Sequence, residues 1–330
     1  MRPVLPCTLA LSGNADLLAL CGTGVSPVPA PARRRCHKSM GPIILRFHLG
    51  MAVTLLAAAG CTTGIVATTS RTAEPEPASP LACRLANYGP YEEAAWTHLP
   101  SIGIRYVFMD VPEPDQVEAV QKRLADHDLT AVVLRGNANF ADASCLDSLA
   151  VQLQTCRKMG VKYMFLSPKH QGVDKPAVYD RLRRAGDIAR QHGVTITLET
   201  HPDLGTNADV HLETMRQVHH PNVRVNFDTG NLSYYNEHID VAAELTKIID
   251  YVATVEIKDH TGQYQTWNFP ALGKGVVTIP AVLRILRGHR YAGPITIEIE
   301  WVQGTEISEA DRKKDIADSV SYLRSLGRFK

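Results

Sequence analysis

Short β-branched runs alternating with longer amphipathic stretches constrain this chain more than any other feature. The runs fall at 81–87, 105–110, 130–135, 162–166, 194–199, 224–228, 253–258 and 294–300. Between them lie helical patterns such as 178–192, 241–251 and 279–287, and a last helix is expected over 309–326. Strands alternating with helices predict βαβ units and a parallel sheet. Eight such units in about 250 residues match a (β/α)₈ TIM barrel. A doubly wound open sheet would place a Gly-rich phosphate turn after its first strand, and 81–90 offers none.

Residues two apart on a strand share a face. The fifth run then presents Thr195, Thr197, Glu199 and His201 together, and the sixth Arg224, Asn226 and Asp228. The seventh presents Thr254, Glu256 and Lys258, and the eighth Thr296, Glu298 and Glu300. The opposite faces are Val, Ile, Leu and Phe throughout. Four neighbouring strands therefore aim Glu199, Asp228, Glu256 and Glu298 into the barrel near its C-terminal end, where the active sites of such barrels lie. Buried like charges must share protons, pair with cations or bind a metal. Arg224, Lys258 and His201 are the expected neutralising groups. Oxygen-only ligation suits one hard divalent cation, Mn²⁺ or Mg²⁺; a nitrogen from His201 or His260 would bring in Co²⁺ or Zn²⁺.

The first eighty residues read differently. Residues 1–39 are rich in Pro, Ala, Cys and Arg without a sustained period, as expected of an upstream segment outside the fold. Residues 40–61 combine Arg46 and His48, an apolar run too short to span a bilayer, and Ala58-Ala59-Gly60-Cys61. That pattern predicts an export signal and resembles a bacterial lipobox. Cys61 would then be acylated, giving a periplasmic or membrane-anchored protein; without a signal the location is cytoplasmic. Residues 62–80 are expected as a flexible tether, and 81–330 as one barrel domain. The seven cysteines are scattered without a Cys-x-x-Cys pair, which argues against a disulfide framework or structural zinc site; they read as small buried apolar residues. A formal net charge of +1 leaves no basic footprint for nucleic acid.

Five segments occur in a familiar order: Leu198-Glu199-Thr200-His201, Asn226-Phe227-Asp228-Thr229-Gly230-Asn231, Val255-Glu256-Ile257-Lys258-Asp259, Leu272-Gly273-Lys274-Gly275 and Tyr291-Ala292-Gly293-Pro294-Ile295-Thr296-Ile297-Glu298. Together they resemble the xylose isomerase-like TIM barrels, a superfamily of sugar isomerases and epimerases, over roughly 81–328. The resemblance implies one Mn²⁺ or Mg²⁺ held by Glu199, Asp228, Glu256 and Glu298, with Glu199 and Glu298 taking and returning a proton next to the carbonyl of a keto sugar. Glu256 stands where relatives more often carry His or Gln, and Asn231 where many carry His. His201, Asn231, Lys258, His260, Arg135 and Trp267 are the expected substrate-binding residues, with Lys169 and His170 further candidates. The implied partner is a small sugar, and a homo-oligomer is compatible with it. A lyase or dehydratase using the same enediolate, and a non-catalytic sugar-binding barrel, are the competing readings. Multi-zinc endonuclease chemistry is disfavoured because carboxylates, not histidines, dominate the site.

Overall fold

The structure, a computed structural model, describes residues 78–330. The expected upstream segment, the export signal with Cys61, and all but the end of the tether lie outside the described residues. The last tether residues already belong to the fold. Lys330 N–H donates to Ser79 O at 2.9 Å, and Ile295 N–H donates to Pro80 O at 2.9 Å.

The strands are β1 (Leu81–Arg84), β2 (Tyr106–Asp110), β3 (Thr130–Arg135), β4 (Tyr163–Leu166), β5 (Thr195–Glu199), β6 (Val223–Asp228), β7 (Val252–Ile257), β8 (Asn268–Phe269), β9 (Ile295–Ile297) and β10 (Trp301–Val302). Eight of them close a barrel in the order β1-β2-β3-β4-β5-β6-β7-β9, and β8 pairs antiparallel with β10. The helices are α1 (Ala95–Ser101), α2 (Val117–Asp126), α3 (Cys145–Met159), α4 (Lys175–His192), α5 (Ala208–Val218), α6 (Thr229–Tyr235), α7 (Val241–Ile248), α8 (Ile279–Gly288) and α9 (Glu309–Leu326). All eight expected strands are present within a few residues. Two fall short of expectation by three residues or more: the first gives way to a 3₁₀ segment, Leu85–Ala94, and the last ends at Ile297.

Side-chain direction follows the alternation. Ile196, Leu198, Val225, Phe227, Val255, Ile257, Ile295 and Ile297 face outward and join the helices in one continuous core. The interior is divided. On the β2–β4 side Phe108, Val133 and Phe165 form a separate apolar plug. On the β5–β9 side Thr197, Asn226, Thr254 and Thr296 are buried and polar. This split leaves one half of the barrel's mouth to carry charge. Cys83, Cys145 and Cys156 are buried free thiols, and burial pushes Cys83 and Cys156 up to about 12.

Local caps set where the helices begin. Asn207 accepts from Val210 N–H at the start of α5, and Ser308 accepts from Asp311 N–H at the start of α9. On α5, His211 is buried with Nε2 3.2 Å from Thr200 Oγ1, and Nδ1 has no hydrogen-bond partner. Burial holds its imidazole down to about 3, against 6.5 ordinarily, so it is neutral in the folded chain. The unfolded chain binds that proton first. Its contribution to stability is therefore complete above pH 6.5 and is lost as the pH falls towards 3. For one proton the limiting slope is about 1.4 kcal/mol per pH unit. Denaturant unfolding at pH 5.5 and 4.5 should show a shallower acid limb for His211→Gln than for the unaltered chain; equal slopes would exclude this source.

Candidate active site

Strand register determines which carboxylates meet. Asp228 and Glu256 are direct partners across β6 and β7, and Glu298 follows β9 with its N–H on Ile257 O at 3.1 Å. One oxygen from each of Asp228, Glu256 and Glu298 lies within 4.8 Å of the others, and all three residues are buried. Glu199 pairs in register with Asn226, two residues short of Asp228. It lines the same cavity but stands outside this compact group.

Each carboxylate is held by one oxygen. Asp228 Oδ1 accepts from the N–H groups of Gly230 and Asn231 (2.9 and 3.0 Å), capping α6. Glu256 Oε2 accepts from Asn226 Nδ2 at 2.8 Å, and Asn226 is itself fixed by Thr254 Oγ1 at 2.6 Å. Glu298 Oε1 accepts from Arg84 Nη1. The remaining oxygens, Asp228 Oδ2, Glu256 Oε1 and Glu298 Oε2, are buried and accept no hydrogen bond. Buried polar atoms left this way are expensive unless something else satisfies them.

Two cations share the cluster. Lys258 Nζ lies 3.3 Å from Glu298 Oε2 and 3.9 Å from Asp228 Oδ2, contacts Glu300, and donates to Asn231 Oδ1 at 3.1 Å. Arg84 Nη1 is 3.2 Å from Glu256 Oε1 besides its bond to Glu298, and its guanidinium lies over the Phe108 ring. Arg84 is the site residue the sequence reading missed. Its signal is a charged residue sharing the barrel-facing side of β1 with Ala82. Arg224, expected as a neutralising group, belongs to the other end of β6: its Nε donates to Pro221 O at 3.1 Å and its guanidinium faces Tyr251. The expectation therefore held for Lys258 and failed for Arg224, because Arg224 sits at the strand's start.

Five carboxylates, with Glu199 and Glu300 included, face two cations, leaving three negative charges uncompensated if all are ionised. Burial pushes Asp228 well above the carboxylate range and Glu256 up to about 8, with Arg84 opposing the rise at Glu256. At Glu298 burial works in the same upward direction, but the charges of Arg84 and Lys258 overcome it and hold the group low. Lys258 is desolvated yet driven up by Glu298, Asp228 and Glu300, so it stays charged. A divalent cation would satisfy the three oxygens that accept no hydrogen bond and remove most of the excess charge, so the donor set fits a hard metal ion.

Neighbouring groups complete the mouth. Asn231 Nδ2 donates to Glu199 Oε1 and to Thr200 O, so this side chain ties Glu199 to Lys258. His201 Nδ1 sits 2.6 Å from Pro202 O, which can only accept; Nε2 is then the acceptor for Tyr235 O–H at 2.8 Å. Trp267 lines the cavity, 6.0 Å from Lys258 Nζ by its ring centroid, and Arg135 and Lys169 stand exposed along it. His260 does not line the cavity. It is buried, with Nε2 donating to Thr266 O and Nδ1 meeting Ser233 Oγ, so it braces the loop that carries Trp267. His170 pairs with Asp203 at 3.2 Å and also lies off the cavity wall.

The Gly-Lys-Gly segment has a structural task. Asp259 accepts from the N–H groups of Gly273, Gly275 and Val277, and a Cβ at Gly275 would lie 2.3 Å from Asp259 Oδ1. Gly230 has a similar reason, since a Cβ there would lie 2.6 Å from Lys258 Cγ. The turn wraps the carboxylate that follows Lys258 and so fixes the end of β7. The open cavity that meets the cluster at Glu298 has a volume of ≈ 1130 Å³.

The family of xylose isomerase-like TIM barrels matches residues 97–326. No curated protein sequence matches the chain. Among solved structures, the xylose isomerase domain protein from Planctomyces limnophilus is 20% identical, with a TM-score of 0.61, covering 76% of this chain and 98% of its own. The D-allulose 3-epimerase from Methylomonas sp. in complex with D-allulose is 16% identical, with a TM-score of 0.62, and coverage of 76% and 98%. The D-psicose 3-epimerase with D-tagatose from Clostridium cellulolyticum H10 is 13% identical, with a TM-score of 0.62, and coverage of 75% and 99%.

Proposed function

This chain belongs to the xylose isomerase-like TIM-barrel family, and from that premise we propose that it is a metal-dependent isomerase or epimerase of a keto sugar. The observation that carries the proposal is the buried group Asp228, Glu256 and Glu298, each with one oxygen that accepts no hydrogen bond, beside a large polar cavity that Glu298 lines. The likeness to epimerases that hold D-allulose and D-tagatose supports the sugar class.

Asp228, Glu256 and Glu298 would hold the ion, Mn²⁺ or Mg²⁺ by the hardness of the donors. When bound, it supplies Lewis acidity towards a carbonyl oxygen and the neighbouring hydroxyl. The residues of the chain do the rest. Glu199 and Glu298 come from strands three positions apart round the barrel, so they reach a bound sugar from different sides. In the proposed reaction one removes the proton on the carbon next to the carbonyl and the other returns it. Glu199 is suited to moving a proton because it lies outside the ion-paired cluster and is held at Oε1 by one amide. Lys258 keeps its charge and, through Asn231, holds Glu199 in place. Tyr235 stays a phenol, pushed up by burial and by the negative charge of Glu199; its proton goes to His201 Nε2, which leaves its oxygen to accept from a substrate hydroxyl.

Incubation of the full chain with Mn²⁺ and keto sugars in deuterated water tests this reading. Deuterium should enter the carbon next to the carbonyl, with the epimer or isomer as product. Loss of water or of an aglycone instead would assign the chain to the lyases. No exchange across a broad panel would favour a sugar-binding barrel without catalysis.

A further inference from the structure

The cavity does not end at the carboxylates. It continues from Glu298 and Lys258 across the ends of β2 and β3 to the outer helix α3, where Val151 and Gln152 line it. Its ≈ 1130 Å³ exceeds the roughly 300–1,000 Å³ of pockets that enclose a drug-sized ligand. A single hexose, with about a dozen heavy atoms, is smaller than such a ligand.

The outer arm has a fixed floor. Gln152 Oε1 accepts from Asn137 N–H at 2.8 Å while its Nε2 donates to Asn137 O at 2.8 Å. This two-way clamp holds the loop after β3 against α3. The fit is close, since a Cβ at Gly136 would lie 2.9 Å from Met164 Sδ. The cavity lining on this side also includes the apolar side chains of Pro112, Ala138 and Val151, the last of these 47% exposed. Apolar side chains among hydrogen-bonding groups suit the C–H face of a sugar ring with its hydroxyls at the edges. The arm carries no excess of positive charge to draw a phosphate: Arg135 already faces Asp110 at 4.0 Å, and Glu113 offsets Lys169.

We propose that this arm is a second subsite, so that the substrate is a keto sugar carrying a glycosyl ring or comparable aglycone and not a free monosaccharide. The proposal rests on the sugar reading above and narrows it. The reacting ring would lie over the carboxylates, and the attached ring along Pro112, Ala138 and Val151.

Titration calorimetry of the full chain in Mn²⁺ separates the possibilities, with D-fructose set against the keto disaccharides lactulose, turanose and palatinose. At least one disaccharide should bind about tenfold or more tighter than fructose. Val151→Trp, on an exposed helix position that tolerates bulk, should bring that ratio towards one, and Ala138→Trp should do the same from the facing loop. Fructose binding as tightly as every disaccharide, with a ratio that neither variant moves, would overturn the second subsite and leave the isomerase reading standing. Failure of all four sugars to bind would overturn both.

Discussion

Glu199→Gln should lower turnover by about 10²–10⁴-fold, the range that a positioned acid–base group contributes, while leaving the fold intact. The substitution keeps an oxygen for Asn231 Nδ2, so the hydrogen bond at 3.2 Å survives and only the capacity to carry a proton is removed. Glu199 lies outside the ion-paired group, so unfolding by denaturant should be close to that of the unaltered chain. Deuterium incorporation should fall with turnover, because both report the same proton transfer. Full turnover in this variant would remove Glu199 from the chemistry. Glu298→Gln should lose activity as well, but it also removes the negative charge that pairs with Arg84 and Lys258 and sets an amide against a cation, so a loss of stability accompanies it. The contrast between the two variants separates a group that moves protons from one that also holds the site together.

Arg84→Met should be the most destabilising single change at the site, costing about 3–5 kcal/mol. Methionine replaces the stacking on Phe108 in part but leaves Glu256 and Glu298 without the guanidinium. Removing one partner of a buried pair exposes the other to its full desolvation cost. Protonation offers an escape, and Glu256, already raised to about 8, takes it first. The loss measured by denaturant unfolding should therefore be larger at pH 9 than at pH 6. Added Mn²⁺ should recover part of it, since a bound cation supplies the missing positive charge. Unchanged stability at both pH values would mean that Arg84 is not a working counter-ion.

The barrel was legible because one periodicity governs it. Alternating faces on 194–199, 224–228, 253–258 and 294–300 point carboxylates inward and branched side chains outward, and the core follows that division. What the alternation could not carry is height along the barrel. Glu199 shares its face with the others in the sequence, yet its register with Asn226 sets it apart from Asp228. Arg84 was hidden for a different reason. It is a lone cation in a short strand, and its partners lie more than 170 residues away, so only barrel closure between β1 and β9 brings them together. His260 misled because a histidine after a strand resembles a substrate ligand, whereas here one ring nitrogen is committed to Thr266 in the Trp267 loop and the other to Ser233 on α6. The Gly-Lys-Gly turn was recognised as a motif before its task was visible, since that task is to wrap Asp259.

Equilibrium dialysis against Mn²⁺ with metal analysis tests the central claim, that Asp228, Glu256 and Glu298 hold one divalent cation. Asp228→Asn is the informative variant because Oδ1 can still cap α6 through Gly230 and Asn231, while Oδ2, the free oxygen, is replaced by an amide. The unaltered chain should retain about one equivalent of Mn²⁺, by the hard-ligand argument, and Asp228→Asn should lose most of it while remaining folded. A chain that binds no Mn²⁺ would show that Arg84 and Lys258 are the only counter-ions of the carboxylates, and a variant that keeps its full equivalent would show that the ion is not held by Asp228.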